Sequence, residues 1–239
     1  MTRIPIGLAC ILIMAKAYSV EGSIALPDSA RVFSVGEKIV LNGVPMHMRG
    51  FRSSESVDDL LAWFSRELGS PLVENHLGKT TVLGKAVGHR YLSVQLERDA
   101  NGVRGVVAES DFEAAAEMRL LRQEQLDRWL FGLPSGSAVR SDMVSADRGR
   151  RAWHAVFENT VDAQINSERT QALMAAEGFV LENESSAADM PDGPSWRSGQ
   201  GRTLYFKGAD KEAIVTISRD TQRKTTIVIN TVSTLGRLP

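Results

Sequence analysis

The chain has 239 residues, of which 43% are hydrophobic and 24% charged, and its formal net charge is −1. These are ordinary values for a packed globular protein, so they exclude wholesale disorder. Nucleic-acid-binding proteins normally carry a basic excess, which this chain lacks, so the sequence predicts no nucleic-acid partner.

The N-terminus has the pattern of a secretory signal peptide. Arg3 supplies a positive charge, and residues 4–15 form an apolar run that is too short to span a bilayer. Ala17 and Ser19 are small residues at the two positions that a signal peptidase requires, which predicts cleavage after Ser19. A retained membrane anchor and a buried N-terminal strand are the alternatives.

Removal of this signal would change the thiol content and the charge of the mature chain. Cys10 is the single cysteine of the sequence and lies inside the signal, where a weak lipobox-like pattern makes a lipid anchor a further alternative. The mature chain then has no thiol for a disulfide, a nucleophile or a metal site. Loss of Arg3 and Lys16 reduces the 28 basic residues to 26 against 29 acidic ones, so the net charge becomes −3. No second apolar run is long enough to cross a membrane, and we predict a periplasmic or secreted protein.

The first half of the mature chain combines strands with one helix. Asn42-Gly43 lies between apolar-rich flanks and predicts a tight hairpin turn. Ser56 is a suitable N-cap for a helix that ends at Gly69, before Pro71. The predicted strands of this half lie at residues 38–41, 44–51, 79–87, 90–98 and 103–110.

A second helix follows these strands. Ser110 and Glu113 have the spacing of a capping box, which predicts a helix at residues 111–131 and a linker at 132–142. The rest of the chain repeats the earlier order. Its predicted elements are a strand at 151–160, a helix ending at Gly178, a strand at 179–185 and a meander of strands across 201–233.

Local sequence similarity supports an internal repeat. Residues 72–75 (LVEN) resemble 180–183 (VLEN), and 78–86 (GKTTVLGKA) resemble 201–209 (GRTLYFKGA). We therefore predict an α+β fold of two tandem repeats, each a sheet with a helix on one face, joined by a bridging helix. Chance similarity between antiparallel meanders is the alternative. The predicted segments are a signal peptide at 1–19, a linker at 20–37, a first repeat at 38–110, a bridging helix and linker at 111–142, and a second repeat at 143–239.

The Gly-Lys-Thr sequence at residues 78–80 resembles the end of a phosphate-binding P-loop. A P-loop also requires an earlier glycine, where this chain has Val73, and a helix after the loop, where this chain has β-branched residues. The sequence therefore predicts no nucleotide site here.

Other catalytic and metal-binding patterns are also missing from the sequence. The four histidines show no HxxxH or HExxH spacing, and there is no G-x-S-x-G motif. Asp58 and Asp59 are adjacent on a predicted helix, so they do not face each other as an acid–base pair. We predict no catalytic residue, no metal ligand and no cofactor. The histidines are His47, His76, His89 and His154.

The long polar loop at residues 183–200 is the main candidate for a binding segment. It carries Trp196 and Arg197, which are residue types enriched at interface hot spots. Packing of Trp196 back onto the sheet is the alternative. The open edges of the predicted sheets are further candidates, because an edge strand accepts a partner strand.

These observations favour a non-enzymatic protein exported to a bacterial envelope that acts through protein–protein contacts, such as an accessory or scaffold part of a secretion or surface-appendage system. Two alternatives remain open. One is a periplasmic small-ligand-binding protein with a pocket between the repeats, and the other is an enzyme that uses carboxylates assembled by the fold.

Overall fold

The computed structural model describes residues 24–36, 38–147, 149–186 and 200–234. Of these residues, 54% lie in strands and 24% in helices. The predicted signal peptide at residues 1–19 lies outside the described residues, so its prediction and the predicted export stay untested. In the described part of the chain, none of the helices combines the length and the apolar character that crossing a bilayer requires.

The described residues form thirteen strands and three helices. The strands are β1 (Arg31–Ser34), β2 (Lys38–Leu41), β3 (Val44–Ser53), β4 (Val73–Leu77), β5 (Thr80–Val87), β6 (Arg90–Asp99), β7 (Gly102–Asp111), β8 (Ala138–Asp147), β9 (Arg150–Asn159), β10 (Val180–Ser186), β11 (Gln200–Gly208), β12 (Lys211–Arg219) and β13 (Thr225–Thr234). The helices are α1 (Val57–Leu68), α2 (Phe112–Gly132) and α3 (Ala163–Ala176).

All thirteen strands belong to one antiparallel sheet. Its order is β10-β11-β12-β13-β9-β8-β2-β3-β7-β6-β5-β4, and β1 pairs with β3 beside the end of β2. The centre of the sheet is the pairing of β2 with β8, in which Lys38 lies opposite Ala146 and Leu41 opposite Met143. The helix α1 precedes β4 to β7 on one side of this pair, and α3 precedes β10 to β13 on the other.

The predicted fold class of two α+β repeats, each with its own sheet, is wrong. The strands form a single large antiparallel sheet with three short helices, and strand content is more than twice the helix content. The pairing of β2 with β8 explains the difference, because it satisfies backbone groups that two separate sheets would leave exposed at their edges. The predicted linkers at 20–37 and 132–142 also contain strand residues, of β1 and β8 respectively. A duplication of the chain, like the predicted domain boundaries, stays a prediction.

The first hairpin and the first helix agree with their predictions. Asn42 and Gly43 both have positive φ, 50° and 81°, as a two-residue hairpin turn requires. The Ser56 side chain accepts a hydrogen bond from the Asp59 backbone N–H at 3.1 Å, which caps α1. Helix α1 ends at Leu68, before Gly69.

The start of the second helix differs from its prediction by one residue. The N-cap is Asp111, whose carboxylate accepts from the Ala114 N–H at 3.0 Å, and not Ser110. Ser110 stays in β7, where it lies opposite Met46 and Tyr91 and is buried. Two ladders thus hold Ser110 in the sheet, and the next acceptor along the chain takes the capping role.

The three helices lie on one face of the sheet, which we call the helix face. Residues directly opposite each other across strands share a face. Pro45 and Phe51 lie on the same face of β3, since they are an even number of residues apart. Pro45 lies opposite Val40, Val40 opposite Val144, and Val144 opposite Trp153, so Phe51 and Trp153 share one face of the sheet. We call the opposite side the open face.

The core under the helices has two clusters on the helix face. In one, α1 packs on Phe51 and on buried residues of β5 to β7, and in the other, α3 and the end of α2 pack on β9 and β11 to β13. Trp129 of α2 contacts Trp153 at a ring distance of 4.8 Å. The clusters explain why the sheet stays intact although none of the three described helices lies on its other face.

Candidate functional site

The two ends of the sheet are open edges. Strand β4 ends the sheet on one side and β10 on the other, and each pairs with only one strand among the described residues. An open edge presents unpaired backbone N–H and C=O groups, on which a further strand can add.

The backbone of β4 presents its free groups at two known positions. Leu77 lies opposite Thr80 across the two-residue turn Gly78-Lys79, and such a turn is closed by a hydrogen-bonded pair. Hydrogen-bonded and non-hydrogen-bonded pairs alternate along an antiparallel ladder, so the pairs that His76 and Glu74 form with β5 are not hydrogen-bonded. The N–H and C=O groups of Glu74 and His76 therefore point away from β5.

The side chains of β4 alternate between the two faces of the sheet. Glu74 and His76 lie on the helix face, where their side chains are 3.5 Å apart and His76 Nδ1 is 3.2 Å from the Thr81 hydroxyl. Val73 and Leu77 lie on the open face and are 57% and 67% exposed. The strand contains no proline, lysine, arginine or register shift, which commonly block an edge, and Glu74 is its single acidic residue.

The opposite edge, β10, is less suited to strand addition. Its ladder with β11 shifts register between Leu181 and Asn183. Its acidic side chains are paired across the ladder, Glu184 with Arg202 and Glu182 with Lys207 at 3.8 Å. A bulge bends an edge strand, so that it fits a straight partner strand less well, and charged side chains on the edge disfavour the approach of such a partner. We therefore place the candidate docking site on β4.

Sequence reasoning missed β4, because it predicted no strand for residues 73–77, between the helix that ends at Gly69 and the strand at 79–87. The structure makes them part of β4, paired with β5. The sequence carried one signal: apolar Val73 and Leu77, four residues apart, fall on the same face of an extended strand just before the Gly78 turn. The expectation that a strand follows Lys79 is confirmed by β5, which leaves no helix at the position that a P-loop requires.

The predicted hot-spot pair, Trp196 and Arg197, lies outside the described residues, so its role stays a prediction. Of the described side chains, no group of three or more His, Cys, Asp or Glu is placed to hold a metal ion. His47, on β3, and His154, on β9, lie in the sheet, and the His154 ring contacts the Asn230 side chain at 2.7 Å.

A cleft of about 320 Å³ lies on the helix face beside α2. It belongs to the second half of the chain, with α2 as one wall, and is not a pocket between two repeats. Arg128 and Arg151 line it and form no ion pair with a described residue, but Glu177 lines it as well. Two positive side chains and one negative side chain therefore line the cleft. The remaining lining residues are Gln125, Trp129, Trp153, Phe179, Thr231 and Ser233.

One carboxylate has a displaced pKa. The Lys224 ammonium and the Arg140 guanidinium bond to Glu158 and hold its pKa below the ordinary value of 4.5, although partial desolvation acts in the opposite direction. A carboxylate paired with two cations stays ionised at neutral pH, which fits an ion pair between β8, β9 and the turn before β13.

Comparison with known proteins identifies no relative: no family model, no curated protein and no solved structure matches the chain.

Proposed function

We propose that the protein is an exported, non-enzymatic component of a bacterial envelope that acts through protein–protein contacts made at the edge of β4. Its first partner is a second copy of the chain, and a scaffold in a secretion or surface-appendage system is the concrete form of this role. The observation that carries the proposal is that the free edge of β4 is complementary to itself.

This complementarity follows from a two-fold axis placed beside Asn75. In an antiparallel pair of β4 strands, Val73 of one copy lies opposite Leu77 of the other, and Glu74 lies opposite His76. Apolar residues thus meet apolar ones, and the acidic side chain meets the imidazole. Each contact occurs twice, as in every isologous interface.

The backbone register supports the same pairing. The outward-pointing groups of Glu74 and His76 face each other across the axis, which allows about four backbone hydrogen bonds. Asn75 faces Asn75 of the second copy without hydrogen bonds between them. This agrees with the ladder inside each copy, because the N–H and C=O groups of Asn75 already bond to β5. A register shifted by one residue would leave the outward groups unpaired.

The expected dimer is weak. A pair of five-residue strands buries less surface area than a stable interface, which buries about 1,200 Å² or more. We expect a dissociation constant on the order of 10–100 µM. Such affinity suits an assembly in which local concentration is high, since linked or clustered copies bind far more tightly than free ones.

Sedimentation equilibrium of His76→Pro tests the proposal. Proline removes the outward N–H of residue 76, which β5 does not use, so the fold is expected to persist. His76→Ala is the matched control, because it loses the same imidazole but keeps the N–H. We expect dimers for the wild type, somewhat weaker dimers for His76→Ala and monomers for His76→Pro at concentrations up to about 500 µM, well above the expected dissociation constant. Equal association of the two variants would contradict the proposal.

A further inference from the structure

Three arginines form a row across neighbouring strands on the open face. Arg31 of β1 lies directly opposite Arg52 of β3, and Arg52 lies directly opposite Arg104 of β7. All three side chains are exposed. None of them forms an ion pair with a described residue, although Glu97 of β6 lies opposite Arg104.

This row, which we call the arginine row, costs stability. Like charges directly opposite each other across an antiparallel pair repel, and here two such pairs share the central Arg52. Glu97 supplies one opposite charge to three positive ones, so a ligand with several negative charges gains by neutralising the rest of the row.

Phe33 holds two of the three arginines in place. Its ring lies over Gly50, where a Cβ would overlap the ring. The guanidinium carbons of Arg52 and Arg104 are 6.0 Å and 5.6 Å from the ring centre, within the range of a cation–π contact. The ring thus fixes two guanidiniums without consuming their hydrogen-bond donors, which remain free to bind oxyanions.

The shape of the surface decides between the anions that arginine binds. Guanidinium matches phosphate oxygens in two-pronged geometry. The arginine row extends across three strands of an open sheet face, so a single small phosphate would have to offset its full loss of freedom with exposed contacts alone. A surface with many phosphates presents several at once. We propose that the arginine row binds the phosphate headgroups of an anionic lipid surface, independently of the β4 edge.

Vesicle co-sedimentation tests this inference with the whole protein. Each basic residue near an anionic surface adds about fivefold to the partition coefficient. We expect binding to equimolar phosphatidylglycerol and phosphatidylcholine vesicles, weak or no binding to pure phosphatidylcholine, and loss of binding at about 0.5 M salt, where the screening length is only a few ångströms. No binding of the wild type to the anionic vesicles would overturn the proposal.

A charge-matched pair of variants separates the arginine row from general attraction. We expect the triple variant Arg31→Gln, Arg52→Gln and Arg104→Gln to lose on the order of 100-fold in partition coefficient. The control replaces one exposed arginine on each helix, Arg66, Arg119 and Arg169, by glutamine and changes the net charge equally. The control is expected to stay within about threefold of the wild type, since these charges lie on the other face. Equal losses in both triple variants would contradict the proposal.

The unfolding midpoint of the triple variant and a pyrophosphate titration are the two further measurements. The triple variant is expected to unfold near the wild-type midpoint, because removal of the repulsion offsets the loss of the cation–π contacts with Phe33. If it does not fold, Arg52→Gln alone must show a loss of about fivefold. Titration with pyrophosphate distinguishes the source of the phosphate. Submillimolar pyrophosphate binding without vesicle binding would overturn the lipid assignment.

Discussion

Replacing Phe157 by alanine is expected to lower the free energy of unfolding by about 3–5 kcal/mol. The Phe157 side chain is fully buried on the helix face of β9, and its ring stacks with that of Trp129 at 6.5 Å. It lies opposite Val139 and Ile227, so the truncation removes contacts between the sheet and α2 and leaves a cavity that surrounding strands cannot fill.

Urea denaturation measures this loss directly. The control is Tyr205→Ala, because Tyr205 is 40% exposed on the open face of β11 and its truncation leaves no enclosed cavity. We expect the control to lose less than about 1 kcal/mol. A loss below about 1 kcal/mol for Phe157→Ala would show that the second core cluster is not packed as described.

Replacing Asp142 by alanine is expected to lower the free energy of unfolding by about 2 kcal/mol. The Asp142 side chain is 7% exposed and accepts hydrogen bonds from Arg122 of α2, one of them from Nε at 3.1 Å. Breaking a fully buried ion pair costs about 3–5 kcal/mol. The Arg122 side chain keeps 28% of its exposure, so water recovers part of that cost.

This ion pair also lies where the two halves of the sheet meet. The Asp142 backbone N–H donates to the Asn42 side chain at 3.0 Å, and its carbonyl accepts from the Asn42 N–H at 2.8 Å. A double-mutant cycle with Arg122→Ala isolates the side-chain term, and we expect a coupling of about 1–2 kcal/mol between the two positions. Strictly additive losses would contradict a direct interaction between them.

Local signals were sufficient for the elements that depend on neighbouring residues. Ser56, Gly69 and Pro71 predicted α1, and Asn42-Gly43 predicted the first hairpin. These features depend on caps and turns, which act over a few residues and are visible in the sequence.

Long-range pairing could not be predicted in this way. The pairing of β2 with β8 joins residues about a hundred positions apart, such as Leu41 and Met143, and no local pattern specifies it. The error in the fold class has the same origin, since the repeat pattern describes each half but not how their edges pair. The prediction that Ser110 caps the second helix was wrong for a related reason, because pairing with its neighbouring strands keeps Ser110 in β7.

The candidate sites differ in how far the sequence could reveal them. Strand β4 had a local signal in Val73, Leu77 and the following turn, although its position at the edge required the full strand order. The arginine row had no local signal at all. Arg31, Arg52 and Arg104 are far apart in the chain, and only the registers of β1, β3 and β7 bring them into line.

Pairing of β4 with β4 of a second copy is tested most directly by amide hydrogen exchange measured as a function of protein concentration. The N–H groups of Glu74 and His76 point away from β5, so in the monomer they exchange freely, whereas that of Asn75 is protected by its bond to β5. Pairing of two copies is predicted to slow exchange at Glu74 and His76 as concentration rises through the dissociation constant, while exchange at Asn75 changes little. Exchange at Glu74 and His76 that stays fast and independent of concentration would contradict the claim.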